Sequence, residues 1–163
     1  MRRTIIILAG MFLVCGIYAQ NKDIDILLDA WHKAAADADF DRYFGYMTPD
    51  AVFIGTDATE NWKGKEFRDF AKPYFDRGKA WNFTVLERNV YSGADGTTVW
   101  FDELLDTQMK ICRGSGVLIK QDGEWKIRHY VFSITVPNDN IPQLIEIKKD
   151  TDNKLMDSLR RKG

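Results

Sequence analysis

The chain has 163 residues, 45% of them hydrophobic and 13% aromatic, which suits one domain with a packed core. Its 23 basic and 24 acidic residues leave a formal net charge of −1, so there is no electrostatic case for nucleic acid. The two histidines, His32 and His129, lie far apart, and Cys15 and Cys112 form no disulfide framework, so neither a zinc site nor a cross-linked scaffold is expected.

Arg2 and Arg3 precede an apolar run from Ile5 to Ile17 that ends near Ala19. This pattern predicts a signal peptide over residues 1–19, too short for a stable membrane span, and an exported chain that is periplasmic or secreted. Cys15 as a lipid anchor is the weaker reading, because Phe12-Leu13-Val14 lacks the small residue expected before a lipobox cysteine.

Ile24, Leu27, Leu28, Trp31, Ala34, Ala35 and Ala38 recur at helical spacing, with His32 read as a flank or surface residue. Asp39 can cap a short second helix carrying Phe40, Tyr43, Phe44 and Met47, closed by Thr48-Pro49-Asp50. Ala51 to Thr56 reads as a strand. Gly64 to Phe75, with Phe67, Phe70, Ala71 and Tyr74 on one side, reads as a third helix that Pro73 should kink or end.

Strand patterns follow. Trp81 to Ser92 and Thr97 to Asp106 flank Gly93-Ala94-Asp95-Gly96 as one hairpin, and Met109 to Lys120 and Glu124 to Val136 form another about Asp122-Gly123. Asn138 to Gly163 is a charged helical tail that Asp150-Thr151-Asp152-Asn153 should interrupt or weaken. The order predicts an α+β fold, with three helices in the N-terminal half covering a curved, mostly antiparallel sheet.

The Asp122-Gly123 turn makes Gln121 and Glu124 the closing pair. An unbroken register then sets Leu118 opposite Ile127 and Gly116 opposite His129. It turns His129 inward with Trp125 and Ile127, and places Arg128, Tyr130 and Phe132 on the outer face. Gly114 and Gly116 would leave a gap over His129, or they mark a bulge where the sheet bends. Cys112 shares the His129 face, and a buried free thiol is its ordinary reading.

The segments FIGTDATENWKG (Phe53 to Gly64), VWFDELLD (Val99 to Asp106), RGSGVLIKQDGEWKIRHY (Arg113 to Tyr130) and VPN (Val136 to Asn138) carry a likeness. In that order they resemble the SnoaL-like branch of the nuclear transport factor 2-like superfamily over about residues 22 to 138. The resemblance implies a cone-shaped barrel enclosing a pocket, a domain over residues 20–138, and a C-terminal extension over 139–163. It also implies a homodimer through the outer sheet face, where Arg128, Tyr130 and Phe132 are expected.

The scaffold hosts many activities, so function rests on the site. Asp102 and Glu103 are consecutive on a strand, so at most one enters the pocket. Either could be a base, or an ion-pair partner of Arg88 or Arg113. His129 is either a satisfied inward histidine or a pocket group. Asp57 and Glu60 stand near the rim, as caps or ligand contacts, and Trp62, Trp100, Trp125 and Tyr43 are candidate walls.

No glycine-rich phosphate loop or nucleophile elbow appears, and neither metal nor cofactor is expected. The leading expectation is an exported pocket protein for a small, partly apolar molecule. The alternative is a cofactor-independent acid–base enzyme, an isomerase, dehydratase or hydrolase, using a pocket carboxylate with His129. A dimeric assembly module is the third.

Overall fold

A computed structural model describes residues 21–162, so the signal-peptide and Cys15 expectations fall outside the described residues. Helix α1 covers residues 21–36, where Ile24, Leu28, Trp31, Ala34 and Ala35 form its buried stripe. Ala38, at φ 55°, ends the turn, and Asp39 accepts from the Arg42 amide to cap α2 (Phe40–Gly45).

The next strand begins earlier than expected. β1 runs Met47–Ile54, so Met47 and Thr48-Pro49 belong to the strand rather than to the helix and its stop. Pro49 sits where the pairing with the neighbouring strand is irregular, between Met47 and Val52, which is where a sheet tolerates a residue without an N–H. A short β2 (Asn61–Lys63) pairs with β1. α3 (Lys65–Asp76) then continues past Pro73.

Residues 79–83 have no regular structure, so β3 (Thr84–Ser92) starts after Trp81. β4 (Thr98–Thr107), β5 (Lys110–Gln121) and β6 (Glu124–Ile134) complete the sheet, in the order β2-β1-β6-β5-β4-β3. Among the described residues, only β1 and β6 pair in parallel. The fold is α+β, a curved mixed sheet covered by helices from the N-terminal half.

A 3₁₀ turn (Asn138–Asn140) leads into α4 (Ile141–Arg160), which is unbroken through Asp150 to Asn153. Ion pairs Lys148–Asp152 at 3.0 Å and Lys149–Glu146 at 3.1 Å support the helix across the weak helix formers. Among the described residues, no helix is long and apolar enough to cross a membrane.

The register of β5 and β6 corrects the inward placement of His129. Pairing follows the expected count from Gln121 and Glu124 to Leu118 and Ile127, then shifts by one, so that Val117 faces His129 and Gly116 faces Tyr130. Arg128 is the extra residue of a bulge. Its guanidinium reaches the Asp50 carboxylate and the Thr48 hydroxyl on the irregular part of β1. One inserted residue turns the rest of the strand over. His129 therefore stands on the outer face, opposite Val117 and Val52, while Tyr130 and Phe132 are buried inside rather than exposed outside.

The two glycines do make room, but for other groups. A side chain at Gly114 would collide with the Tyr130 hydroxyl and come within 2.9 Å of Glu103 Oε1. One at Gly116 would meet the Phe101 ring at 2.7 Å. The gap expected over His129 is thus filled by Tyr130 and Phe101.

Candidate functional site

Strand alternation sends Val99, Phe101, Glu103, Leu105 and Thr107 inward, so Glu103 enters the cone and Asp102 does not. Asp102 lies half-buried on the outer side, where it accepts from the Asn89 amide at 3.3 Å. Glu103 is 1% exposed and surrounded by partners. Its Oε1 is 2.9 Å from His32 Nε2 and accepts from the Tyr130 hydroxyl at 3.0 Å. Its Oε2 accepts from Arg88 Nε at 3.0 Å and lies 2.9 Å from Nη2.

Arg88 also donates through Nη1 to Asp29 at 2.8 Å and to the Asp25 carbonyl at 3.2 Å, which ties β3 to α1. His32 is buried, contrary to its reading as a flank or surface residue. It stands four residues after Leu28 and three before Ala35, on the apolar stripe itself, and that spacing was the available signal.

Burial tends to raise the Glu103 carboxyl, but the hydrogen bond to His32, with the charge and hydrogen bonds of Arg88, outweighs it and holds the group below its usual range. Burial, reinforced by the neighbouring Glu103, pushes the Tyr130 hydroxyl well above its usual range. The cluster is a neutralised knot in which both carboxylate oxygens are engaged. It has no free lone pair pointing into a substrate space.

The second feature is a cavity of about 180 Å³ at the mouth of the cone. Its wall is aromatic. Phe53 stacks on Phe67 with centroids 4.1 Å apart, Trp62 on Phe70 at 4.1 Å, and Phe83 on Phe132 at 4.6 Å. Trp81 and Met109 also line it, with Thr56, Glu60 and Gln108 as polar edges. The Glu60 carboxylate accepts the Asp57 amide at 3.1 Å through Oε2.

Of the residues read from sequence, Glu60 and Trp62 meet in this cavity, and the others do not. Asp57 is exposed and closes its own turn, accepting from the Thr59 amide at 2.8 Å and the Thr59 hydroxyl at 2.6 Å, bonds that hold its carboxyl below the usual range. Tyr43 is fully buried in the core, stacked on Trp31 at 5.1 Å. Trp125 is half-buried near the β5–β6 turn, with Lys120 over its ring at 5.8 Å.

Trp100 is exposed on the outer face, stacked on Tyr91. His129 shares that face and has no carboxylate opposite it. Cys112 is a buried free thiol 3.4 Å from the Thr107 hydroxyl.

Sequence reading missed Phe67, Phe70, Trp81, Phe83 and Met109 as lining residues, and His32 and Tyr130 as partners of Glu103. The aromatics of α3 were legible as a stripe, but the side of the sheet they would meet was not. Among the described residues, no group of three or more His, Cys, Asp or Glu could hold a metal ion.

The sequence profile of the SnoaL-like domain matches residues 24–137. No curated protein sequence matches the chain. Among solved structures, an NTF2-like protein of unknown function from Pseudomonas putida KT2440 aligns with a TM-score of 0.63 at 17% identity, covering 76% of this chain and 92% of that one. The association domain of C. elegans CaMKII aligns with a TM-score of 0.59 at 22% identity, covering 71% and 96%. A candidate dehydratase of the NTF2-like family from Streptomyces avermitilis aligns with a TM-score of 0.61 at 12% identity, covering 71% and 96%. At these identities the likeness shows the fold alone.

Proposed function

The chain belongs to the SnoaL-like domain family, and from that premise we propose that it is a binding protein for a small apolar molecule, seated in the aromatic cavity at the mouth of the cone. The observation that carries this reading is the cavity itself. At about 180 Å³ it is close to the roughly 150 Å³ apolar cavities that take up benzene, and below the about 300 Å³ at which drug-sized sites begin. Such a space fits one ring or the apolar end of a longer molecule, with Glu60 and Gln108 available to orient a polar substituent.

Binding has more support than acid–base catalysis. The enzymatic reading needed a carboxylate beside His129, and His129 lies on the outer face. Glu103 is an unpromising base because its carboxyl is held low and both oxygens are engaged.

The test is calorimetric titration of the protein, residues 20–163, with toluene. Wild-type protein should bind, and Met109→Trp, which fills the cavity, should not. Equal binding by both proteins would place the ligand elsewhere and remove the reading's support.

We also propose that the chain acts after export, on the composition of residues 1–19, and mass determination of protein recovered outside the cytoplasm checks cleavage after Ala19. Self-association through the outer sheet face is the accompanying proposal. The stacked and exposed Tyr91–Trp100 pair supports it, and sedimentation of Trp100→Ser against wild type tests it.

A further inference from the structure

Phe83 belongs to two spaces at once. It lines the aromatic cavity and also a cleft of about 310 Å³ that includes Asp29, His32, Lys33, Asn82 and Thr84. The ring stacks on Phe132 at 4.6 Å and meets the His32 ring edge-on at 5.9 Å. It sits in residues 79–83, between α3 and β3, where no strand ladder fixes the backbone.

The cleft's charged residues are already paired. Asp29 is held by Arg88 at 2.8 Å and Lys33 by Asp37 at 2.7 Å. His32 differs. It is 5% exposed, its Nε2 meets the Glu103 carboxylate, and its Nδ1 has no partner among the described residues. With the carboxylate accepting at Nε2, a neutral ring carries its proton there and presents Nδ1 as an acceptor.

We infer that cavity and cleft are two compartments of one elongated ligand site, divided by the Phe83 ring and ending on His32 Nδ1. The inference rests on the cavity reading and extends it to a ligand class: an apolar ring joined by a short chain to a hydroxyl or N–H donor. Joined, the compartments reach the about 300–1,000 Å³ of ordinary small-molecule sites. A ligand of this kind displaces Phe83 toward solvent and pairs with His32 Nδ1 at the edge of the Glu103 cluster. The carboxylate then acts as a positioning group, because it sets the tautomer that reads the donor.

The probes are phenyl-terminated primary alcohols of increasing chain length, with alkylbenzenes of matched length and toluene. Binding is measured by calorimetry on wild type, Phe83→Ala and Phe83→Leu, with the ¹⁵N resonances of His32 followed by NMR. Removing the Phe83 ring should strengthen binding of alcohols with four or more methylene groups by about tenfold, a change of about 1.4 kcal/mol. Toluene should change by less than about threefold, a difference of under about 1 kcal/mol on the same scale.

The alcohols should bind about fivefold tighter than their matched hydrocarbons, as one hydrogen bond to a buried acceptor provides, and should shift the Nδ1 resonance. Phe83→Leu, which keeps an apolar residue in the segment, should lie between the other two proteins. If toluene binds but all three proteins share one chain-length profile, the divided site is wrong and the cavity reading stands. If alcohols and hydrocarbons bind alike without a shift at Nδ1, His32 is not the far end. If toluene binds none of them, both readings fall.

Discussion

Two regions inside the same cone handle polarity in opposite ways. Around Glu103 both carboxylate oxygens are engaged: His32 and Tyr130 take one, Arg88 takes the other, and Arg88 reaches on to α1 through Asp29. Around the mouth cavity the walls are rings, and the polar edges supplied by Glu60 and Gln108 face open space. A buried charge is tolerable only when fully partnered, and full partnering removes the freedom that proton transfer needs. The cluster therefore holds α1, β3, β4 and β6 together, while the cavity is left for a ligand. Substitutions should divide along the same line, with stability lost at the cluster and affinity lost at the cavity.

The largest effect is expected from Glu103→Ala, which removes the buried partner of Arg88 Nε and Nη2 and leaves the guanidinium only Asp29 and Asp25 at Nη1; it should cost about 3–5 kcal/mol in urea unfolding. A cost near zero would mean that the cluster is not structural. The same group sets the acid limit. Its folded value lies below the roughly 4.3 of a free glutamate, so its stabilisation is present above that value and is lost as pH falls through the folded one. Unfolding measured from pH 7 down to pH 3 should show a larger loss in wild type than in Glu103→Gln.

Gly114→Ala comes next. The added methyl meets the Tyr130 hydroxyl and Glu103 Oε1, and should destabilise by about 1–3 kcal/mol. Tyr130→Phe removes one hydrogen bond while His32 still serves Oε1, so about 1 kcal/mol is expected. Met109→Trp should change stability least, within about 0.5 kcal/mol, while abolishing toluene binding. If a cluster variant lost toluene affinity without losing stability, or if Met109→Trp cost as much as Glu103→Ala, the division between the two regions would collapse.

Much of the fold was legible because it is periodic. The stripe from Ile24 to Ala35, the Asp39 cap and the Asp122-Gly123 turn each carry a local signal, and Asp122 and Gly123 do adopt positive φ, at 52° and 87°. The bulge at Arg128 carries no such signal. It arises where β6 meets the irregular, proline-containing part of β1, a pairing between segments about eighty residues apart. Reading Gly114 and Gly116 as either a gap over His129 or a bulge left both open; the strand pair does bulge, though at Arg128 on the partner strand, and the space over the glycines is taken by Tyr130 and Phe101.

That single residue decided the site, because it exchanged His129 for Tyr130 on the inner face. Glu103 over Asp102 could not be chosen from alternation alone, since either phase satisfies a half-buried strand. The pairing with Arg88 suggested from sequence is the one Glu103 makes. The cavity was partly readable at Trp62 and Glu60, near one another in sequence. Its remaining walls come from α3, residues 79–83, Met109 and β6, which only the tertiary fold assembles.

The central claim is that the mouth cavity takes an apolar ring, and a crystal structure of the protein soaked in toluene tests it most directly. Density for one ring between Trp62 and Phe83, with the Glu103 cluster unchanged, is the predicted result. A cavity closed by Phe70 or Met109, with toluene absent or lodged on the outer face, would contradict it.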